Sequence, residues 1–152
     1  KLDELRRRAR RAGFSNITTW EWKGKDVPSR KATFDGVLVD APCSGSGTWR
    51  RNPAARWMIA REDITRFAGL QESILGHAAT AVKAGGLLVY ATCSMFRREN
   101  EGVVEVFLST HPQFRLEPFP NPLTGLPTRG GAQFWPWDGD CDGLFAARMR
   151  RK

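Results

Sequence analysis

The chain has 152 residues, 41% hydrophobic and 11% aromatic, with 24 Lys and Arg against 16 Asp and Glu for a formal net charge of +8. That balance fits one globular domain, or part of one, with enough chain to bury a core, and it excludes a disordered polyelectrolyte. No apolar run approaches the ~20 residues of a membrane-spanning helix, and no charged start precedes an apolar leader, so the expected compartment is the cytoplasm.

In the opening segment Leu2, Leu5, Ala9 and Ala12 fall on one helical face, Arg6, Arg7, Arg10 and Arg11 flank it, and Gly13 supplies a stop. This helix lacks a start signal, as expected of a fragment of a longer protein, and its arginines read as a solvated face. Ile17 to Trp22 is β-branched and aromatic with weak alternation, which predicts a strand. A polar loop over 23–33 leads to a second predicted strand, Phe34 to Val39. Gly45 to Ala60, rich in Gly, Arg and Trp without a clean period, reads as a functional loop. Glu62-Asp63 then opens a long helix. In it Ile64, Phe67, Gln71, Ile74, Leu75, Ala78 and Val82 recur at three- and four-residue steps, with Gly85-Gly86 as the stop.

Leu87 to Thr92 is continuously apolar, the pattern of a strand covered on both faces. Another helix is predicted from Arg98 to Thr110, with Val103, Val104, Phe107 and Leu108 inward. Phe114 to Asp142, dense in Pro, Gly and Trp, reads as a structured loop in which Phe134, Trp135 and Trp137 pack. Leu144 to Met149 closes as a strand. The strand-helix-strand-helix alternation predicts an α/β fold with a parallel sheet and crossover helices.

The three cysteines are widely spaced, make no disulfide framework and read as reduced thiols. Cys43 lies in Asp40-Ala41-Pro42-Cys43-Ser44-Gly45, just after a predicted strand, and Cys93 in Ala91-Thr92-Cys93-Ser94, just after another. The carboxyl ends of neighbouring parallel strands share one rim, where ligands bind. Two thiols delivered to that rim point to a reaction that uses both. Taken singly, either reads more readily as a small buried hydrophobe. Cys141 matches no motif, and with His77 and His111 it reads as structural. A zinc site built from the three cysteines and a histidine lacks any close ligand pair, so no metal is expected. Eighteen of the 24 basic residues are arginine, which forks onto phosphates and stacks on bases, so a nucleic-acid partner is expected. Arg50, Arg51 and Arg56, interleaved with Trp49 and Trp57, are the candidates for holding RNA.

The tetrad Asp40-Ala41-Pro42-Cys43 followed by Thr92-Cys93-Ser94 resembles the Sun/Nop family of RNA cytosine-5 methyltransferases. Arg50-Arg51-Asn52-Pro53, Leu70-Gln71, Gly85-Gly86-Leu87-Leu88-Val89-Tyr90, Glu99-Asn100-Glu101 and Asp142-Gly143-Leu144-Phe145 extend the likeness over nearly the whole chain. The resemblance implies a Rossmann-like class I S-adenosylmethionine-dependent methyltransferase fold. The chain would be the C-terminal portion of one catalytic domain, truncated so that strands 1 and 2 of the usual order 3-2-1-4-5-7-6 are missing. It further implies an RNA substrate, ribosomal RNA foremost, with Cys93 attacking carbon 6 of cytosine, Cys43 aiding product release and Asp40 beside donor and base.

The chemistry asks for these residue types in its own right. Carbon 5 of cytosine is a poor nucleophile until a thiolate adds at carbon 6. A nucleophilic cysteine needs its pKa lowered, and Arg97, Arg98 and a helix start follow Cys93 closely. The target base must be unstacked, which suits single-stranded or loop RNA. Where such domains carry donor-binding acids, Glu21 is the best placed candidate here, with Asp26 next. Unpaired strand edges predict that the chain rearranges, pairs with another chain or holds roughly its first 30 residues loosely, and that it binds the donor feebly or not at all. Two other readings remain open: a DNA cytosine-5 methyltransferase-like enzyme with Cys43 as nucleophile, and a non-catalytic basic RNA-binding module.

Overall fold

The computed structural model describes residues 2–22 and 32–152. Helix α1 (Leu2–Arg11) ends at Gly13, whose φ of 74° is open to glycine and strained for other residues. A parallel pair, β1 (Phe34–Asp40) and β2 (Val82–Thr92), then sets the frame, with Val37 opposite Leu88, Val39 opposite Tyr90 and Asp40 opposite Ala91. Their carboxyl ends therefore finish level. The crossover between them is α2 (Arg61–Ala79), which packs on both strands and against α3 (Glu101–Thr110). The chain closes with β3 (Phe114–Leu116), β4 (Gly131–Phe134), a short α4 (Pro136–Gly139) and β5 (Leu144–Arg151). Strand β5 runs antiparallel to β2 on one side and to β3 and β4 on the other. The path β1-β2-β5-β3 is the order expected for strands 4, 5, 7 and 6 of the seven-stranded sheet.

One face of this sheet carries the core. Val39, Leu88, Tyr90, Phe145, Ala147 and Met149 meet Leu75, Ala78, Val103, Val104 and Phe107 from α2 and α3. The register seats Leu88 beside Met149 and Tyr90 beside Ala147, so long side chains alternate with short ones across β2 and β5. The opposite face of β2 is only half-buried at Leu87, Val89 and Ala91, against the full cover its apolar run predicts. Both α2 and α3 contribute to the same single core, which leaves that second face without them.

Several predicted elements differ. Ile17–Trp22 is not a strand: Ile17 and Trp20 are exposed, and Trp22 sets its ring edge-on to His77 at 6.2 Å. A strand persists only with a ladder partner for its N–H and C=O groups, and no strand among the described residues pairs with this segment. Most of the loop that follows, with Asp26, lies outside the described residues. Helix α2 stops at Ala79, so Val82 belongs to β2 rather than to the helix. Gly85-Gly86 serves β2 instead, where the pairing slips between Phe34 and Gly36. Gly85 has a φ of 74°, and a Cβ on Gly86 would stand 2.9 Å from the Lys83 carbonyl oxygen. Glycine signals a left-handed or crowded residue without saying whether it ends a helix or forms a bulge.

Helix α3 begins at Glu101, after a 3₁₀ turn over Arg97–Glu99. The segment read as a loop from Phe114 to Asp142 contains β3, β4 and α4. Phe134 is buried there, but Trp135 and Trp137 stack on each other at 4.9 Å, 8° apart, with Trp137 75% exposed. Among the described residues no helix is long and apolar enough to cross a membrane.

Leu88 is fully buried and Leu38 is 67% exposed on the neighbouring strand. Leu88→Ala is expected to lower the unfolding free energy by about 2–5 kcal/mol in a urea titration. Leu38→Ala is expected to change it by roughly 0.5 kcal/mol or less. Equal losses at the two positions would contradict this packing.

Candidate active site

The level ends of β1 and β2 bring the two cysteine loops together. Cys43 leaves β1 through Pro42, Cys93 leaves β2 after Thr92, and their Sγ atoms stand 3.4 Å apart. Each loop is fixed through the serine that follows its cysteine. The fully buried carboxylate of Glu99 accepts from the Ser44 N–H at 2.8 Å and from Gln71 Nε2 at 3.1 Å on one oxygen. Its other oxygen accepts from Ser44 Oγ at 2.5 Å and Ser94 Oγ at 2.6 Å. These bonds fill the acceptor sites a carboxylate offers. Gln71 also donates to the Pro42 carbonyl at 2.9 Å, so α2 holds the first loop from below.

The second loop has further ties. Thr92 Oγ1 donates to Asn100 Oδ1 at 2.6 Å, Asn100 Nδ2 donates to the Ser94 carbonyl at 2.9 Å, and Tyr90 OH donates to the Glu99 carbonyl at 2.6 Å. Gly47 N–H donates to the Cys93 carbonyl and Gly143 N–H to the Gly47 carbonyl, both at 2.9 Å. A Cβ on Gly47 would come within 1.9 Å of the Gly143 carbonyl oxygen, so this approach requires glycine. The loop of the first cysteine is thereby sandwiched between the loop of the second and the start of β5.

Proximity makes the thiols unequal. The hydrogen bond from Cys43 lowers the Cys93 pKa to about 7, against burial and the nearby charges of Asp40 and Glu99, which push it up. The same bond, with burial next, pushes the Cys43 thiol up. Either sulfur can donate across the 3.4 Å contact, and the shared proton lets one of the two ionise more readily than an isolated thiol. Arg97 and Arg98, the expected cause, have no part in this. Arg97 instead pairs with Glu105 at 2.6 Å.

Asp40 ends β1 on the boundary between two hollows of about 360 Å³ each. One holds Cys93 with Thr48, Arg51, Phe134 and Asp142. The other is an apolar groove walled by Trp20, Trp22, Phe34, Leu38 and Ile74 along the outer edge of β1. Both lie in the size range of small-molecule sites.

Against this geometry the family comparison is direct. The model for the 16S rRNA methyltransferase RsmB/F family matches residues 1–150. The chain belongs to that family. It is 41% identical over 145 residues to ribosomal RNA small subunit methyltransferase B of Thermus thermophilus, covering 95% of this chain and 35% of that protein. To the Pasteurella multocida protein of the same name it is 37% identical over 127 residues, with 84% and 28% covered. The chain therefore spans about a third of the length of these curated relatives. Among solved structures, the crystal structure of PH0851 superposes with a TM-score of 0.90 at 34% identity, covering 99% of this chain and 34% of that one. NSun6 from Pyrococcus horikoshii, crystallised with SFG, superposes with a TM-score of 0.80 at 25% identity, covering 99% and 38%. The sheet is thus part of the Rossmann-like methyltransferase fold that the motifs imply.

Within this RsmB/F segment the sequence-predicted residues are distributed unevenly. Asp40, Cys43 and Cys93 converge. Glu21 is exposed, set between Trp20 and Trp22, whose rings wall the apolar groove. Arg51 reaches the thiol hollow but is paired with Asp142, and Arg50 pairs with Asp140 at 3.1 Å. Arg56 lies over the Trp57 ring at 5.5 Å, and that ring is 83% exposed. Cys141 donates to the Trp135 carbonyl at 3.5 Å. Reading the sequence missed the roles of Ser44, Ser94, Glu99 and Asn100. Gln71 carried a signal, being polar at a core-facing helical step, and a buried polar group demands partners.

The pH dependence of thiol reactivity follows from the coupling. A thiolate is present above its pKa, so Cys93 alkylation by iodoacetamide is expected to rise with a midpoint at about pH 7. Cys43→Ala removes the donor and should move that midpoint upward, toward the ordinary value of 9.0. A midpoint unchanged by the substitution, read by peptide mass spectrometry, would contradict the coupling.

Proposed function

We propose that this chain is the thiol-bearing part of an RNA cytosine-5 methyltransferase that acts on ribosomal RNA with S-adenosylmethionine as donor. The observation that carries the reading is the pair of sulfurs at 3.4 Å with opposed proton affinities. Membership of the 16S rRNA methyltransferase family and the names of the relatives support the substrate and the reaction. SFG in the NSun6 crystal supports a ligand of the adenosyl class. The groove beside Asp40 fits such a group, with aromatic and apolar walls and a carboxyl at its end.

Cys93 begins the reaction. Its thiolate adds to carbon 6 of an unstacked cytosine, forming a carbon–sulfur bond and sending the ring's electron pair to carbon 5. S-adenosylmethionine supplies the activated methyl group that carbon 5 then takes. Asp40, on the boundary between groove and thiol hollow, accepts a hydrogen bond from the exocyclic amine of the base. Glu21, flanked by groove residues, is the second candidate on the donor side.

Once the Cys93 sulfur is a thioether it no longer carries the charge that raised its neighbour. Cys43 then ionises to solvent and accepts the proton from carbon 5. The carbon 5–carbon 6 double bond re-forms as the carbon–sulfur bond breaks, and the electron pair returns to Cys93. Arg50 and Arg51 meet RNA phosphates by exchanging Asp140 and Asp142 for them, and the Arg56–Trp57 stack offers a flanking base an exposed ring.

A chimera in which this chain replaces the corresponding third of the Thermus thermophilus relative tests the roles. With RNA containing 5-fluorocytosine, a covalent protein–RNA band is expected only when S-adenosylmethionine is present. Cys93→Ala should abolish it. With ordinary RNA, Cys43→Ala should let an unreleased adduct accumulate. The reverse assignment would favour a DNA-type mechanism with Cys43 as nucleophile, and no adduct in any form would favour a non-catalytic RNA-binding module.

The outer edge of β1 supports one more reading. Among the described residues no strand pairs there, and Leu38 is exposed. A second copy of the chain docks on that edge, and in doing so covers the groove and excludes the donor from it. Sedimentation velocity should show a dimer that Leu38→Lys weakens; an exclusively monomeric chain at high micromolar concentration would refute it.

A further inference from the structure

We infer that Glu99 is a positioning residue for the thiol chemistry: its buried carboxylate, bonded at once to Ser44 and Ser94, holds the two cysteine loops at the spacing where one sulfur donates to the other. The inference rests on the proposed roles of Cys43 and Cys93.

Three observations lead to it. First, the two serines each follow a cysteine directly, so any movement of their anchor is passed to the sulfur one residue away. Second, all four hydrogen bonds to the carboxylate come from neutral donors, with no guanidinium or ammonium among them. Burying a carboxylate without a countercharge is costly, and an apolar residue of like size would serve a purely structural purpose as well or better. What an apolar residue cannot do is bind two separate loops through one rigid group. Third, Glu99 is itself pinned, because Tyr90 OH donates to its carbonyl at 2.6 Å from within β2. The anchor is therefore tied to the same strand that delivers Cys93.

The two loops are also bonded directly, by Met95 N–H to Ser46 Oγ at 2.8 Å and Gly47 N–H to the Cys93 carbonyl at 2.9 Å, and Glu99 adds the tie at the residues adjoining the two sulfurs. The other groups that bear on the Cys93 sulfur are Asp40 from the end of β1 and Glu99 itself, both opposing ionisation, while Arg51 and Asp142 share its hollow as a mutual pair. With the donor Cys43 displaced, nothing in that set compensates for it except Cys93's own backbone hydrogen bond.

The test uses the chain in a Cys141→Ser background, with two readouts. One is the pH midpoint of Cys93 alkylation by iodoacetamide. The other is capture of phenylarsine oxide, which needs two thiols within reach of one arsenic atom. Glu99→Gln keeps the shape but turns an amide N–H₂ toward donor groups. Loss of the Glu99 charge would by itself lower the midpoint, so a net rise from about 7 toward 9.0, with weakened arsenical capture, is the result expected from losing the contact with Cys43. At pH 7 that full shift would cut the thiolate fraction by about fifty-fold. Ser94→Ala, which deletes one hydroxyl, should give a smaller change in the same direction, and it carries the test if Glu99→Gln does not fold.

Midpoint and capture unchanged in a folded variant would overturn the inference, whatever happens to stability. A wild-type midpoint near 9 would instead sink the proposed role of Cys93, and arsenical capture would still decide whether Glu99 sets the spacing.

Discussion

The Glu99 carboxylate joins segments that the sequence keeps far apart. Two parallel strands can end level and still leave their loops free to splay, since the ladder constrains only residues up to Asp40 and Ala91. Beyond that point the loops are held by side-chain and backbone hydrogen bonds, four of which converge on one buried group. Leaving a buried donor without its acceptor costs about 1–3 kcal/mol, so each of these bonds resists displacement. The apolar core beneath gives the bonds a fixed base. Tyr90, Leu75 and Val103 are fully buried, and Gln71 rises from among them to reach both Pro42 and Glu99.

Such fixity lets two chemically identical groups behave differently. Two thiols in water share one pKa, and nothing decides which attacks. Here the pair shares a proton asymmetrically, with Cys93 lowered to about 7 and Cys43 raised. The charge on Cys93 gains its stabilisation from a neutral donor rather than a cation. That donor becomes free to do something else once the charge is consumed. A cationic partner such as Arg97 could stabilise a thiolate equally well, but it could not then take up a proton. The carboxylates of Asp40 and Glu99 oppose the ionisation of Cys93, which makes contact with Cys43 the deciding influence.

Around the thiols the surface is charged but largely self-neutralised. Arg50 and Arg51 face Asp140 and Asp142 across the loop before β5, so the net charge of +8 overstates the positive field at the hollow itself. A phosphate competing for those arginines would meet one exposed ion pair, Arg50 with Asp140, and one whose carboxylate, Asp142, is largely covered. The stacked Trp135 and Trp137 and the exposed Trp57 ring add aromatic surface. Their exposure is notable because a large indole normally gains from burial.

Much of the fold was legible from residues alone. Periodicity located α2 and α3, the apolar runs located β1, β2 and β5, and the motif order placed Asp40, Cys43 and Cys93 at strand ends. The misreadings have a common origin. Ile17–Trp22 has the composition of a strand, yet strand formation depends on a partner that composition does not specify. Gly85-Gly86 announced an unusual backbone, which the pairing of β1 with β2 turned into a bulge rather than a helix stop. Trp135 and Trp137 were apolar enough for a core that the tertiary arrangement did not provide. By itself, then, the sequence determined which chemical groups the rim would receive and that two of them would be thiols. Only the tertiary structure brought those thiols within 3.4 Å of each other, across loops fifty residues apart. Hydrogen bonding at such range is set by how side chains from separate strands and helices are anchored, and no local pattern encodes it.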